Sequence, residues 1–173
     1  IDTKLFSPGA SPAGLPVCIT VGRVARIKKV DVLIRAFVRS AAFSAGSVFK
    51  IIGPFESETY RIELESLTAE IGAGDQVHFM GPLNQERTHA ELTASQLFLH
   101  ASDTGSIDKA PLEALSTGIP VITANRELGQ IQSPAVIKAD LSPESFTERI
   151  NEATEAKIWN DSVVRTSARE VVL

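Results

Sequence analysis

The chain has one cysteine, Cys18, in 173 residues. A lone thiol excludes a disulfide framework and any zinc site built on cysteines. Cations are not in excess: Lys+Arg 17 against Asp+Glu 21 gives a formal net charge of −4. That excludes a strongly basic nucleic-acid binder, while leaving room for a local basic patch. No apolar run reaches the ~18 residues that a transmembrane helix needs. Low-complexity tracts and internal repeats are missing. His78, His89 and His100 are each eleven positions apart and match no metal-ligand spacing. The chain opens on Ile1 rather than Met, with no charged-then-apolar leader behind it, and is expected to be a piece of a longer protein.

What is present is an ordinary globular composition, 43% hydrophobic and 22% charged, which argues against disorder. A chain this long suits one domain and buries about 70% of the surface its unfolded form exposes. Short β-branched runs alternate with longer helical stretches. Residues 16–21 (P-V-C-I-T-V) are apolar throughout, as a strand covered on both faces should be. Cys18 inside that run reads as inert packing. Val30, Leu33, Ile34 and Phe37 fall at i, i+3, i+4 and i+7, one face of a helix. Val48–Ile52 is a second strand, ended by Gly53-Pro54. Tyr60, Leu64, Leu67 and Ile71 form another helical stripe, stopped by Gly72 and Gly74. Residues 77–80, 97–101, 121–123 and 135–138 read as further strands. Asn84 caps a helix reaching Thr93, and a helix around residues 111–115 closes at Gly118. Ser142 and Pro143 read as the N-cap and first residue of another helix, and a final one starts near Asn160.

Such alternation points to right-handed βαβ units. The expected fold is a single Rossmann-like α/β domain over residues 1–173, with a parallel sheet of about six strands and helices on both faces. Residues 7–16, with three prolines and two glycines, read as a segment leading into it. Ligands of such sheets bind beyond the carboxyl ends of the strands. The loops of interest are therefore residues 22–29, 53–58, 81–85 and 102–108.

The first loop reads V-G-R-V-A-R-I-K-K-V-D. Gly22 lets the backbone turn as the strand ends. Arg23, Arg26, Lys28 and Lys29 follow in an otherwise acidic chain. Arginine suits bidentate oxyanion binding and lysine acts as a point charge, so a diphosphate is a natural partner. A solvated basic helix start is the plainer reading, although cations at a helix N-terminus oppose the macrodipole. Residues 102–123 read S-D-T-G-S-I-D-K-A-P-L-E-A-L-S-T-G-I-P-V-I-T. A Gly-Ser turn opening a helix presents free backbone N–H groups to phosphate or sugar oxygens. Glu113, about a turn inside, can accept hydrogen bonds from vicinal ribose hydroxyls, or can be an exposed helix glutamate. His78 and His100 read as ordinary strand residues, and His89 as a surface helix residue.

I-D-T-K-L-F-S-P at the start, V-G-R-x4-K-x-V-D-V-L-I-R-A-F, V-H-F-M-G-P-L and L-E-A-L-S-T-G-I-P-V-I-T occur in one order along nearly the whole chain. Together they resemble the C-terminal, nucleotide-sugar-binding half of a GT-B glycosyltransferase of the retaining family 4 type. The resemblance implies catalytic roles for Arg23 and Lys28, the basic pair on the donor diphosphate. It implies that Glu113, second glutamate of a Glu-x7-Glu motif, holds the ribose. Gly22 and Gly53 match loop glycines, and Phe79 matches the segment beside the nucleobase. Ser102, Gly105, Ser106, Asp108 and Leu112 match the rest of the donor-binding stretch. Trp159 resembles an aromatic residue that packs back toward the partner domain.

Departures accompany the match. Gly105 stands where the first motif glutamate, which meets the donor sugar, is usual, with Asp103 or Asp108 free to substitute. Lys29 stands where a glycine is usual, and Gly53-Pro54-Phe55 replaces G-D-G-P. The implied chemistry is sugar transfer with retention from a nucleoside-diphosphate sugar to an acceptor. Arg23, Lys28 and the helix N-terminus near Ser106 would stabilise the leaving diphosphate. No metal or other cofactor is then required. The partners are the donor and an N-terminal acceptor domain of the same protein, not nucleic acid, and the fragment alone would be inactive. The default compartment is the cytoplasm, with attachment to the inner membrane face left to the other half. A nucleotide- or sugar-binding module without transfer activity is the alternative, motivated by Gly105. A dehydrogenase or epimerase would show G-x-G-x-x-G after the first strand, where this chain has G-R-V-A-R-I. A nucleotide hydrolase would show G-x4-G-K-[ST], which does not occur.

Overall fold

The computed structural model describes residues 1–10, 13–102 and 104–173. Strands β1 (Val17–Val21), β2 (Val48–Ile52), β3 (Val77–Gly81), β4 (Leu97–His100), β5 (Val121–Thr123) and β6 (Val136–Lys138) form one sheet in the order β3-β2-β1-β4-β5-β6. Every pairing is parallel. Parallel neighbours need crossover connections, and helices supply them. Helices α1 (Val30–Val38) and α2 (Ala41–Ser44) lead from β1 to β2, and α3 (Glu58–Glu70) leads to β3. Helices α4 (Gln85–Thr93) and α5 (Lys109–Ser116) flank β4 in sequence. A short 3-10 turn (Leu128–Gln130) lies between β5 and β6, and α6 (Pro143–Ala156) and α7 (Ser162–Glu170) end the chain. After β1 the chain winds outward to β3, then returns to place β4 on the other side of β1. That reversal between β1 and β4 is the switch point at which open α/β sheets bind ligands.

The unbroken apolar strands follow from burial on both faces. Cys18, Phe49, Ile51, Leu97 and Leu99 face a core completed by Leu33, Ile34, Phe37, Tyr60, Leu64, Phe146 and Ile150. Ile19, Ile52 and Phe98 face a second core with Leu92, Leu115 and Val164. The two-residue side-chain period of a strand divides each run between α1, α3 and α6 on one face and α4, α5 and α7 on the other. Phe37 meets Phe43 edge-on and Phe49 at a tilt, each with ring centroids 5.6 Å apart.

Capping matches the sequence chemistry. Asn84 accepts a hydrogen bond from Arg87 N, and Ser142 accepts one from Ser145 N. Two helix starts move: α5 starts at Lys109, and α7 starts at Ser162 under an Asp161 cap, with Asn160 in a preceding 3-10 turn. Trp159, expected to pack outward toward a partner domain, is instead buried in the first core and covered by this chain itself.

Residues 1–10 lie against the second face. Phe6 is 1% exposed, and its carbonyl accepts from Ser116 Oγ at 2.6 Å. Arg165 donates to the Gly9 carbonyl at 2.6 Å. His89 is half-buried: its Nε2 lies 2.9 Å from the Ser7 carbonyl and its ring meets Phe6 edge-on. His89 therefore pins the opening segment, a task the helical pattern around it does not reveal. Ser11 and Pro12 of the Pro/Gly-rich stretch lie outside the described residues.

Candidate functional site

The end of β1 and the end of β2 approach each other through two glycines. Gly22 and Gly53 both have φ of 141°. A Cβ built on Gly53 would sit 1.9 Å from the Gly22 carbonyl oxygen, so only glycine fits there. Backbone bonds then sew the loop down. Gly22 N donates to the Ile52 carbonyl at 2.9 Å, Val24 N to the Pro54 carbonyl at 2.8 Å, and Glu56 N to the Val24 carbonyl at 3.0 Å. A 3-10 turn (Arg26–Lys28) follows, and Lys29 adopts a left-handed conformation (φ 51°) at the N-cap of α1. That conformation explains why a glycine suits this position.

The turn separates the four cations. Arg26 points to α3, where it pairs with Glu63 and lies 4.8 Å over the Tyr60 ring. Lys29 is exposed. Arg23 and Lys28 line a cavity of about 310 Å³ beyond the carboxyl ends of β1 and β4. The same cavity is lined by Gly22, Ser102, Asp108 and Glu113. Lys28 Nζ lies 2.7 Å from Asp108 Oδ2 and 3.3 Å from Ser102 Oγ. His100 Nε2 lies 2.9 Å from the same Asp108 oxygen, and its Nδ1 is 3.0 Å from Thr123 Oγ1. The hydrogen bond to His100, seconded by Lys28, holds the Asp108 carboxyl well below its ordinary range. Glu113 is 8% exposed, with Lys109 Nζ 3.2 Å from its Oε1. Arg23 is exposed and makes no ion pair among the described residues.

The structure thus brings Gly22, Arg23, Lys28, Ser102, Asp108 and Glu113 to one cavity. It leaves the other candidates off that lining. Gly53 supports Gly22 from beneath. Phe79 packs on Phe55 with ring centroids 5.4 Å apart. Gly105 and Ser106 are exposed in the loop after β4, and the Ser106 carbonyl accepts from Asn125 Nδ2 at 3.0 Å. Leu112 is half-buried against the second core. Helix α5 begins at Lys109, so its free N–H groups belong to residues 109–112, beyond Ser106 in the chain. Its N-cap is Asp108, whose side chain accepts no backbone N–H there and turns instead to Lys28 and His100. Asp103 lies outside the described residues.

His100 is the residue the sequence reading missed. It looked like an ordinary strand residue but belongs to the cavity. The available signal was its place as a polar residue at the last position of an otherwise apolar strand, at the carboxyl end where ligands bind. Among the described residues no group of three or more His, Cys, Asp or Glu is placed to hold a metal ion.

A parallel sheet in this order, with a charged cavity at its switch point, defines a Rossmann-like α/β domain. Residues 2–166 match the family described as Glycosyl transferases group 1, and the chain belongs to that family. A D-inositol 3-phosphate glycosyltransferase of Nocardia farcinica (strain IFM 10152) is 31% identical over 121 residues, covering 68% of this chain and 27% of that protein. Anabaena Alr3699/HepE, solved in complex with UDP and glucose, superposes with a TM-score of 0.84 at 17% identity, over 99% of this chain and 50% of that one. The C-terminal domain of the Francisella tularensis group 1 glycosyl transferase LpcC superposes with a TM-score of 0.82 at 14% identity, over 99% of this chain and 96% of that one. The chain is a transferase domain of GT-B architecture, and it spans about a quarter of the first of these relatives.

Proposed function

We propose that the cavity between Arg23 and Glu113 binds the nucleoside-diphosphate sugar donor of a glycosyltransferase. One observation carries this reading. Arg23 and Lys28 come from the segment after β1 and Glu113 from helix α5, far apart in sequence, yet they line one cavity at the switch point. Two cations suit the diphosphate, and a buried carboxylate suits vicinal ribose hydroxyls. As the bond to the anomeric carbon breaks, charge grows on the departing diphosphate, and fixed cations stabilise it most in that state. The chemistry asks no metal of this chain, because Arg23 and Lys28 supply the positive charge. A volume of about 310 Å³ lies at the small end of ligand sites. It suits a half-site completed by a second, acceptor-binding domain. Retention of configuration, and inactivity of this domain alone, belong to the same reading. Among the described residues no helix is long and apolar enough to cross a membrane.

The test is thermal denaturation with UDP, GDP and ADP. A ligand that binds only the folded chain stabilises it by about 2.7 kcal/mol at a hundred times its dissociation constant. One of the three should raise the melting temperature, and Arg23→Ala or Glu113→Ala should diminish the rise. No shift with any of them at millimolar concentration ends the donor-site reading. A binding module without transfer is favoured by Gly105, which offers no side chain to a sugar. Donor binding without turnover in the full-length protein would decide for it.

A further inference from the structure

Lys28 is not a free cation. Its ammonium is held at 2.7 Å by Asp108 Oδ2, and both side chains are about three-quarters covered, at 25% and 24% exposure. Arg23, by contrast, has no ionic partner among the described residues. The two members of the basic pair therefore meet an incoming anion in different states. Arg23 is available at once, whereas Lys28 already has an anion.

The Asp108 carboxylate has a second anchor. The same oxygen accepts from His100 Nε2 at 2.9 Å, and the imidazole is fixed from behind by Thr123 Oγ1 at 3.0 Å. Loss of Lys28 would not strand Asp108 as an unpaired, partly buried charge, which is the costly outcome for such groups. The other oxygen, Oδ1, has no partner among the described residues, and Asp108 spends neither oxygen on capping α5. A residue at an N-cap that forgoes capping to hold a lysine and a histidine is arranged around those two groups.

We propose that Asp108 is an internal counter-ion that Lys28 exchanges for the donor's diphosphate, while His100 keeps hold of the carboxylate. This rests on the donor-site reading and adds a specificity-determining residue to it. A dianionic diphosphate outcompetes one carboxylate for Lys28, and a group of lower charge does so less well. The empty site is thereby kept near neutral, and ligands without a diphosphate are discriminated against.

The experiment compares wild type with Asp108→Asn by calorimetric titration, using whichever of UDP, GDP and ADP binds and its parent nucleoside. The expected result is about tenfold tighter binding of the diphosphate by the variant, equivalent to roughly 1.4 kcal/mol, with nucleoside affinity unchanged. Unchanged or weaker diphosphate binding by a folded variant overturns the proposal and leaves the donor site standing. Failure of wild type to bind any of the three removes both. Should Asp108→Asn fold poorly, wild-type protein gives a second readout. Carbon-13 carboxyl titration of Asp108 should show its pKa rising once the diphosphate is bound, because Lys28 has left. An unmoved titration overturns the exchange.

Discussion

The two loops that face each other across the cavity are built by different means. The loop after β1 is stitched to the loop after β2 by backbone bonds from Gly22, Val24 and Glu56, and by Arg26 N donating to Glu56 at 3.0 Å. The loop after β4 is exposed at residues 104–107 and is held chiefly by side chains, namely Asp108 on Lys28 and His100, and Asn125 on the Ser106 carbonyl. Backbone ties survive most substitutions and fix where Arg23 and Lys28 stand. Ion-pair ties can be exchanged for a ligand. One loop is a mount for charge, and the other can respond to what binds.

The sharpest way to break the contrast is Gly53→Ala. Its Cβ would collide with the Gly22 carbonyl at 1.9 Å, so the stitched loop must shift. The cost should be at least about 3 kcal/mol, read as a fall in the urea midpoint. Gly105→Ala in the opposite loop has a φ of +75° but open space around its Cβ. It should cost only about 1 kcal/mol. Equal costs at the two positions would erase the distinction between the loops.

Lys29→Gly sharpens the comparison from the other side. Lys29 holds a left-handed conformation at φ 51°, and relieving it should raise stability by about 1 kcal/mol, or a few degrees in melting temperature.

The smallest effect is the pH response of the side-chain-tied loop. The Asp108 carboxyl is held below its ordinary value of 3.8, first by His100 and then by Lys28. A carboxyl depressed in the folded state contributes stability that is complete above its unfolded value and drains away as pH falls toward its folded one. Wild type should therefore exceed Asp108→Asn in stability at neutral pH and converge with it in acid, below about pH 3.8. Parallel curves would show that the ion pairs add nothing.

How much of this was legible in sequence differs by element. The stripe Val30, Leu33, Ile34 and Phe37 is buried as its spacing implies. The Asn84 and Ser142 caps also follow from local chemistry. Helix α5 starts two residues before Pro111, where its pattern becomes legible, because Asp108 makes no side-chain cap that would mark the boundary. The contacts of His89 and His100 are invisible to local pattern because their partners, Ser7 and Asp108 with Thr123, lie in other elements.

By itself the sequence determined the alternation of strands and helices, the two-sided burial of the sheet and the family, since each rests on periodicity or on short ordered motifs. The resemblance singled out Arg23 and Lys28 among four neighbouring cations, but how the backbone aims each of the four was decided only by the tertiary structure. The 3-10 turn and the left-handed Lys29 send Arg26 to α3 and Lys28 to Asp108. A side chain's partner depends on where the backbone aims it, and that direction is set by contacts from β2, α3 and β4 that no local pattern encodes.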